Sequence, residues 1–168
     1  MPINSKAKGS SFELKLSKML TEWSGETFHR TPGSGALHWS NDKRVVSDIV
    51  PPATLMEKGW QFSIEAKNVE YPWEFSMLME GTALFWTHWN QCLSDAQREC
   101  MVPLLVFKKN RRDIYTAMRT KNFDELGIQP SEVLRLKANG HDLTILKFRD
   151  LLESITCEEL LQKTLSRP

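Results

Sequence analysis

Helices laid against a central β-sheet, in an α/β or α+β arrangement, are what this chain of 168 residues predicts. Three observations carry that expectation. Residues 61–67 (Gln-Phe-Ser-Ile-Glu-Ala-Lys) alternate in polarity with the period of an extended chain. Residues 101–107 (Met-Val-Pro-Leu-Leu-Val-Phe) are apolar without a break, the composition of a strand buried on both faces. Residues 11–23 and 82–99 instead repeat their apolar side chains at helical spacing. The resulting order of helix, strands, helix and strands fits a sheet covered by helices, and does not choose between the two classes.

The first helix, 11–23, can be capped by Ser10 or Ser11 and carries Phe12, Leu16, Met19, Leu20 and Trp23 as its apolar stripe. Glu13 and Lys15 lie off that stripe. Gly25 ends the helix, and residues 27–30 form a short strand. Segment 31–36 (Thr-Pro-Gly-Ser-Gly-Ala) must be a loop, holding a proline and two glycines. Its backbone amides are bare enough to approach a phosphate, and it can equally be a plain turn. Asp48 stands in an apolar run just before Pro51-Pro52, where it closes a strand. In 61–67, Phe62, Ile64 and Ala66 fall on one side and Ser63, Glu65 and Lys67 on the other. A strand burying only the first side presents a carboxylate and an ammonium two residues apart.

Residues 68–79 are rich in aromatics and methionine, with an extended start at 71–73. The helix at 82–99 places Phe85, Trp89, Cys92, Leu93 and Ala96 on a core stripe, with Gln91 and Gln97 beside it. After the apolar strand, residues 108–112 (Lys-Lys-Asn-Arg-Arg) make a basic hairpin turn, either a solvated loop or a track for a nucleic-acid backbone. A strand at 114–118 follows. Helical turns at 123–126 and 130–136, a strand at 143–148 and a terminal helix at 157–165 complete the chain.

Forty per cent apolar and 26% charged residues describe an ordinary globular protein, and a net charge of +1 neither demands nor excludes nucleic acid. Cys92, Cys100 and Cys157 form no CxxC and read as reduced thiols, which argues against a disulfide frame or a zinc site. No apolar run spans a bilayer and the polar, basic start holds no signal-peptide core, so a cytoplasmic protein without a membrane partner is expected, in a bacterial, archaeal or phage-infected cell. No linker divides the chain. One domain over 1–168 is expected, with its core at about 8–120 and an extension of open role at 121–168.

Two strand-borne acids beside a lysine can hold a divalent cation and steady a water, which is the hardware for phosphodiester hydrolysis. A Glu-x-Lys pair is most often a solvated surface pair; its company here argues for more. Glu13, Arg30, the 31–36 loop, Asp48 and Glu65-Ala66-Lys67 occur in an order that resembles the PD-(D/E)xK nuclease superfamily. Within it, the pattern is most similar to the archaeal and phage-type Holliday-junction resolvases. Gly9-Ser10-Ser11-Phe12-Glu13 matches their Gly-x-x-x-Glu helix, Arg30 and Ser34 their arginine and serine-bearing loop, and Asp48 with Glu65-Ala66-Lys67 their metal-binding acid and Glu-x-Lys. The likeness covers residues 1–70 and extends in outline to 89–99 and 103–118. Ser47 stands where the signature has proline, and the 17 positions from Asp48 to Glu65 call for an insertion.

The resemblance implies a restriction-endonuclease-like fold, a central mixed sheet flanked by helices with the acids converging at one edge. It implies Mg²⁺, with Mn²⁺ as substitute, held by Asp48 and Glu65 and completed by Glu13. Lys67 would orient the attacking water or stabilise charge on phosphorus, Arg30 and Ser34 would hold the scissile phosphate, and Gln91 would add a polar contact. The implied activity is a DNA endonuclease resolving four-way junctions as a homodimer. A restriction-like, repair or end-processing nuclease could use the same site. An inactive nucleic-acid-binding module is a further alternative, and the joint presence of Glu13, Asp48, Glu65 and Lys67 argues against it.

Overall fold

The computed structural model describes residues 5–31, 47–69, 74–109 and 111–168. Helix α1 (Ser5–Ser24) leads to β1 (His29–Arg30) and β2 (Ile49–Val50), which pair antiparallel. Then come α2 (Ala53–Glu57), β3 (Phe62–Asn68), α3 (Phe75–Met79), α4 (Leu84–Arg98), β4 (Val102–Lys108) and β5 (Ile114–Arg119). The chain closes with α5 (Thr120–Leu126), β6 (Leu134–Ala138), β7 (His141–Lys147), α6 (Phe148–Ser154) and α7 (Cys157–Leu161). Five strands form one mixed sheet in the order β3-β4-β5-β7-β6. Only β3 and β4 run parallel, joined by the α4 crossover that a parallel pair requires; the other neighbours are antiparallel. Helix α2 occupies the insertion expected between Asp48 and Glu65.

The parity of β4 builds two cores. Val102, Leu104 and Val106 join Phe62, Ile64 and Ala66 of β3 against Phe12, Leu16 and Leu20 of α1. Leu105 and Phe107 turn the other way, onto Phe85, Trp86, Trp89 and Cys92 of α4. A strand buried on both faces is what the unbroken apolar run demanded, and each fully buried aliphatic or aromatic side chain stabilises by about 1.5–3 kcal/mol. Pro103 is tolerated because the ladder with β5 begins only at Leu105, so no partner on that side lacks a donor. Among the described residues, no helix is long and apolar enough to cross a membrane.

Several expectations need correction. Helix α1 starts at Ser5, so Ser10 and Ser11 lie inside it and do not cap it; Lys6-Ala7-Lys8 are good helix formers that extend it backwards. Strand β3 does not leave its second face in solvent, because α4 covers it and both Ser63 and Glu65 are 3% exposed. Residues 134–136 are strand and not helix: Leu136 is buried while Arg135 and Lys137 are exposed, a period of two. Asn139 (φ 50°) and Gly140 (φ 75°) form the two-residue turn of the β6–β7 hairpin, whose register pairs Ala138 with His141. The terminal helix stops at Leu161. Beyond it, the Gln61 side chain donates to the Lys163 carbonyl (2.7 Å) and accepts from the Leu165 amide (3.1 Å), and this holds the tail extended. The extended start at 71–73 and loop residues 32–36 lie outside the described residues.

Candidate active site

The two acids meet where β2 crosses onto the edge of the large sheet. The Asp48 amide donates to the Ile64 carbonyl at 3.1 Å, which ties β2 to β3. Asp48 Oδ2 accepts from the Ala66 amide at 2.9 Å. The Asp48 carbonyl accepts from the Thr31 amide (2.9 Å), and Thr31 Oγ1 donates to the Ser47 carbonyl (2.6 Å), so the turn carrying Asp48 is fixed from both sides. The Asp48 carboxylate is thus pinned through its own backbone and Oδ2, and it lies within side-chain hydrogen-bonding reach of Glu65.

Asp48 is 7% exposed and Glu65 3%. Lys67 Nζ lies 2.5 Å from Glu65 Oε1. The ammonium thus partners that buried oxygen directly. Burial first, and Asp48 second, push the Glu65 carboxyl up to about 7. Burial likewise raises Asp48 against the lowering effect of the Ala66 amide. For Lys67, burial acts to lower the pKa, but the Glu65 and Asp48 carboxylates outweigh it and hold the ammonium above its ordinary range. Two buried acids sharing one ammonium leave an excess of negative charge in a poorly solvated place, and such a place takes up a proton or a cation.

Glu13 approaches from α1. It is 7% exposed, raised first by burial and then by Asp48, and its Oε2 lies 3.7 Å from Arg30 Nη1. Arg30 pairs with Ile49 across the β1–β2 ladder and so sits next to Asp48. Glu13, Arg30, Asp48, Glu65 and Lys67 are therefore neighbours. Ser34 lies outside the described residues, and Gln91 is exposed on α4.

The α4 side chains within electrostatic reach of the site are others, spaced i, i+4 and i+7: His88 feels Lys67, Cys92 feels Glu65, and Asp95 feels both Asp48 and Glu65. Asp95 is 8% exposed, pairs with Arg98, and raises both Asp48 and Glu65. Burial, then Glu65 and Asp95, push the Cys92 thiol well above its usual range. Burial, then the Lys67 charge, bring His88 down to about 4 and keep its ring neutral. Sequence reasoning placed Cys92 in the core stripe and passed over the other two. His88 and Asp95 stand one turn from Cys92 on either side, but helical spacing alone does not say that this face of α4 meets Glu65.

Among the described residues, no three His, Cys, Asp or Glu side chains converge as a ready metal cage. Asp48 and Glu65 do offer two hard oxygen donors, and as two buried acids sharing a single ammonium they lack positive charge that a cation would supply. Mg²⁺ keeps several waters and needs only one or two protein carboxylates plus a phosphate oxygen, so the donor set suits it.

Comparison with known proteins agrees with this chemistry. A family model described as "Phage putative PDDEXK endonuclease" matches residues 4–162. Protein D14 of Escherichia phage T5 is 26% identical over 166 residues, covering 96% of this chain and 100% of that protein. A 1.6 Å structure of Archaeoglobus fulgidus Hjc, a Holliday junction resolvase from an archaeal hyperthermophile, is 14% identical and covers 91% of this chain and 99% of that one, at a TM-score of 0.39. An overlap that loose says nothing of this chain's activity.

Proposed function

The chain belongs to the phage PDDEXK endonuclease family, and from that premise we propose that it is a Mg²⁺-dependent DNA endonuclease acting on branched DNA, four-way junctions foremost. One observation carries the chemistry: Asp48 and Glu65, both buried, with the Lys67 ammonium 2.5 Å from Glu65. Asp48 and Glu65 would hold the metal, and Glu13 would reach it through water from α1. Bound there, Mg²⁺ supplies Lewis-acid charge for a phosphate oxygen and lowers the pKa of a coordinated water. Lys67 donates a hydrogen bond to the attacking water or to the oxygens of the phosphorus centre, where negative charge builds as the bond forms. Arg30, 40% exposed at its side chain, presents its guanidinium to a phosphate while holding Glu13 in place. The wall of β3 and α4 keeps bulk water from Glu65, which strengthens each of these contacts.

The junction preference rests on the motif order, from Gly9…Glu13 through Arg30 and Asp48 to Glu65-Ala66-Lys67. Resolving a four-way junction takes two symmetric nicks, so this reading requires two sites related by a two-fold axis, a homodimer. Phe75 (75% exposed), Met79 (48%) and Leu84 (42%) provide apolar surface for such a contact. The test incubates labelled four-way junction, linear duplex and single strand with the protein in Mg²⁺, in Mn²⁺ and in EDTA, alongside sedimentation. A dimer making paired, symmetry-related nicks in the junction, silent in EDTA, is expected. A monomer that degrades linear DNA from its ends would replace the resolvase with an end-processing nuclease. No cleavage of any substrate with either metal would leave the inactive binding module.

A further inference from the structure

Helix α4 covers the strand that carries Glu65 and Lys67, and it runs against that strand, because a crossover between the parallel β3 and β4 must return the chain. Cys92 fixes how the two lie: its thiol is within hydrogen-bonding reach of the Glu65 backbone. One turn toward the start of α4, about 6 Å along the helix, stands His88. Two residues toward the end of β3, about 6.6 Å along the strand, stands Lys67. The two steps match, so His88 comes level with Lys67 as Cys92 does with Glu65. Accordingly, the charge that acts on the His88 ring is that of Lys67. The ring is half-buried, and its buried Nδ1 has no hydrogen-bond partner among the described residues. A buried polar nitrogen left bare is costly. Brought down to about 4 by burial and then by that ammonium, the ring is neutral near pH 7, so one of its nitrogens is an acceptor.

We propose that His88 is a positioning residue for Lys67, its Nδ1 lone pair accepting from the ammonium once a cation occupies the Glu65 carboxylate. The inference rests on the nuclease reading and deepens its account of Lys67. In the structure the ammonium lies 2.5 Å from Glu65 Oε1. A cation held by Asp48 and Glu65 competes for that carboxylate and repels the ammonium, which then needs another acceptor. Lys67 has three N–H groups; His88 takes one and leaves the others for water and phosphate. Without His88 the displaced side chain is free to spread over many rotamers, and few of them reach the phosphorus centre. With Nδ1 as the acceptor, the proton of the neutral ring must sit on Nε2.

The test reads the ring directly. Two-bond ¹H–¹⁵N spectra of the ¹⁵N-labelled full chain are recorded at neutral pH without DNA, in EDTA and in excess Mg²⁺. His88→Asn assigns the signal among the four histidines. The Nε2–H tautomer is expected in both conditions, with the Nδ1 resonance moving upfield on adding Mg²⁺ and staying still in Lys67→Ala. A rise in the wild-type thermal midpoint reports that the ion is bound. Mg²⁺ that raises the midpoint while Nδ1 stays put, or an Nδ1–H tautomer, overturns the role of His88 alone. Mg²⁺ that changes neither overturns the metal site, and the role of His88 falls with it. Single-turnover cleavage gives a second arm. His88→Ala should lose about tenfold in rate, and His88→Asn, whose side-chain oxygen stands where Nδ1 stood, should stay within about threefold of wild type. Lys67→Ala/His88→Ala should be no slower than Lys67→Ala, because the two residues act as one unit. A further loss in the double variant would give His88 a role of its own and overturn its dependence on Lys67. Wild-type protein that cuts no substrate overturns the nuclease reading, and the spectra then still decide the contact.

Discussion

Asp48 serves the fold through a hydrogen bond and the proposed chemistry through its charge, and a single substitution can separate the two. In Asp48→Asn the amide oxygen still accepts from the Ala66 amide, so the bond that pins the β2 turn survives while the charge goes. Cleavage of junction or plasmid DNA should fall below detection while circular dichroism and thermal midpoint stay close to wild type. DNA affinity should hold or rise, because a negative charge beside phosphates is gone. Nicking at the wild-type rate would remove Asp48 from the metal site. Lys67 poses the opposite question, whether its 2.5 Å contact with Glu65 is more than an ion pair. If it acts on water or phosphate, Lys67→Ala should lose on the order of 10²-fold in single-turnover rate, with little change in Mg²⁺ affinity. A loss below about tenfold would make it a structural partner of Glu65 and nothing further.

Strand β7 sits between β5 and β6, so the part of the chain after Thr120 closes the sheet that carries the site at its other edge. Thr116, Ala117 and Met118 of β5 are fully buried, and Leu143 and Leu146 of β7 pack within the two cores. A chain ending at Thr120 would open the β5 edge and bare those residues, and it should show no cooperative unfolding transition. In the full chain, Leu143→Ala should cost about 2–5 kcal/mol in denaturant unfolding and shift one transition, not the second of two. A truncated chain that melts cooperatively would make residues 121–168 a separate unit. Elements with a strong local period were legible in the sequence: the alternation of β3, the unbroken run of β4 and the stripe of α4 each appear where expected. Strand β6 was not, because Leu134 and Leu136 are too few to display a period; the Asn139-Gly140 turn that dictates its pairing was the available sign. The placement of Asp48 and Glu65 was legible because Asp48 directly precedes β2 and Glu65 stands mid-strand in the alternating run of β3. Asp95 and His88 were not, since which face of α4 looks at Glu65 depends on the parallel pairing of β3 with β4, a tertiary fact.

For the molecule as a whole, the proposed site is a local cost that a proton or a cation removes. Glu65 titrates near 7 in the folded chain against an ordinary 4.5, with Asp48 and Glu13 also raised. A carboxyl whose folded pKa is raised binds more protons in the native than in the unfolded state between those values. Its stabilising effect is whole below 4.5 and is lost as pH rises through about 7, by up to about 3 kcal/mol for Glu65. Other groups run in different windows. Glu125 and Glu159, held low chiefly by hydrogen bonds from Ser166 and Thr156, withdraw their contribution only as pH falls below the usual carboxylate range. His88, lowered by burial to about 4, works against Glu65 between 4 and 6.5, where the folded chain declines a proton that the unfolded chain takes. The wild-type stability curve thus mixes opposed slopes, and the difference between wild type and Glu65→Gln isolates the carboxyl. In EDTA, Glu65→Gln should gain on wild type as pH rises from about 5 to about 8, by several degrees in thermal midpoint. Mg²⁺ should restore the wild type at about pH 8 and do little at about pH 5, where the acids already hold protons. A difference flat in pH would mean that the Glu65 carboxyl is not raised by its burial, and Mg²⁺ protection equal at both ends would mean that Asp48 and Glu65 do not share a cation, whatever the protein does to DNA.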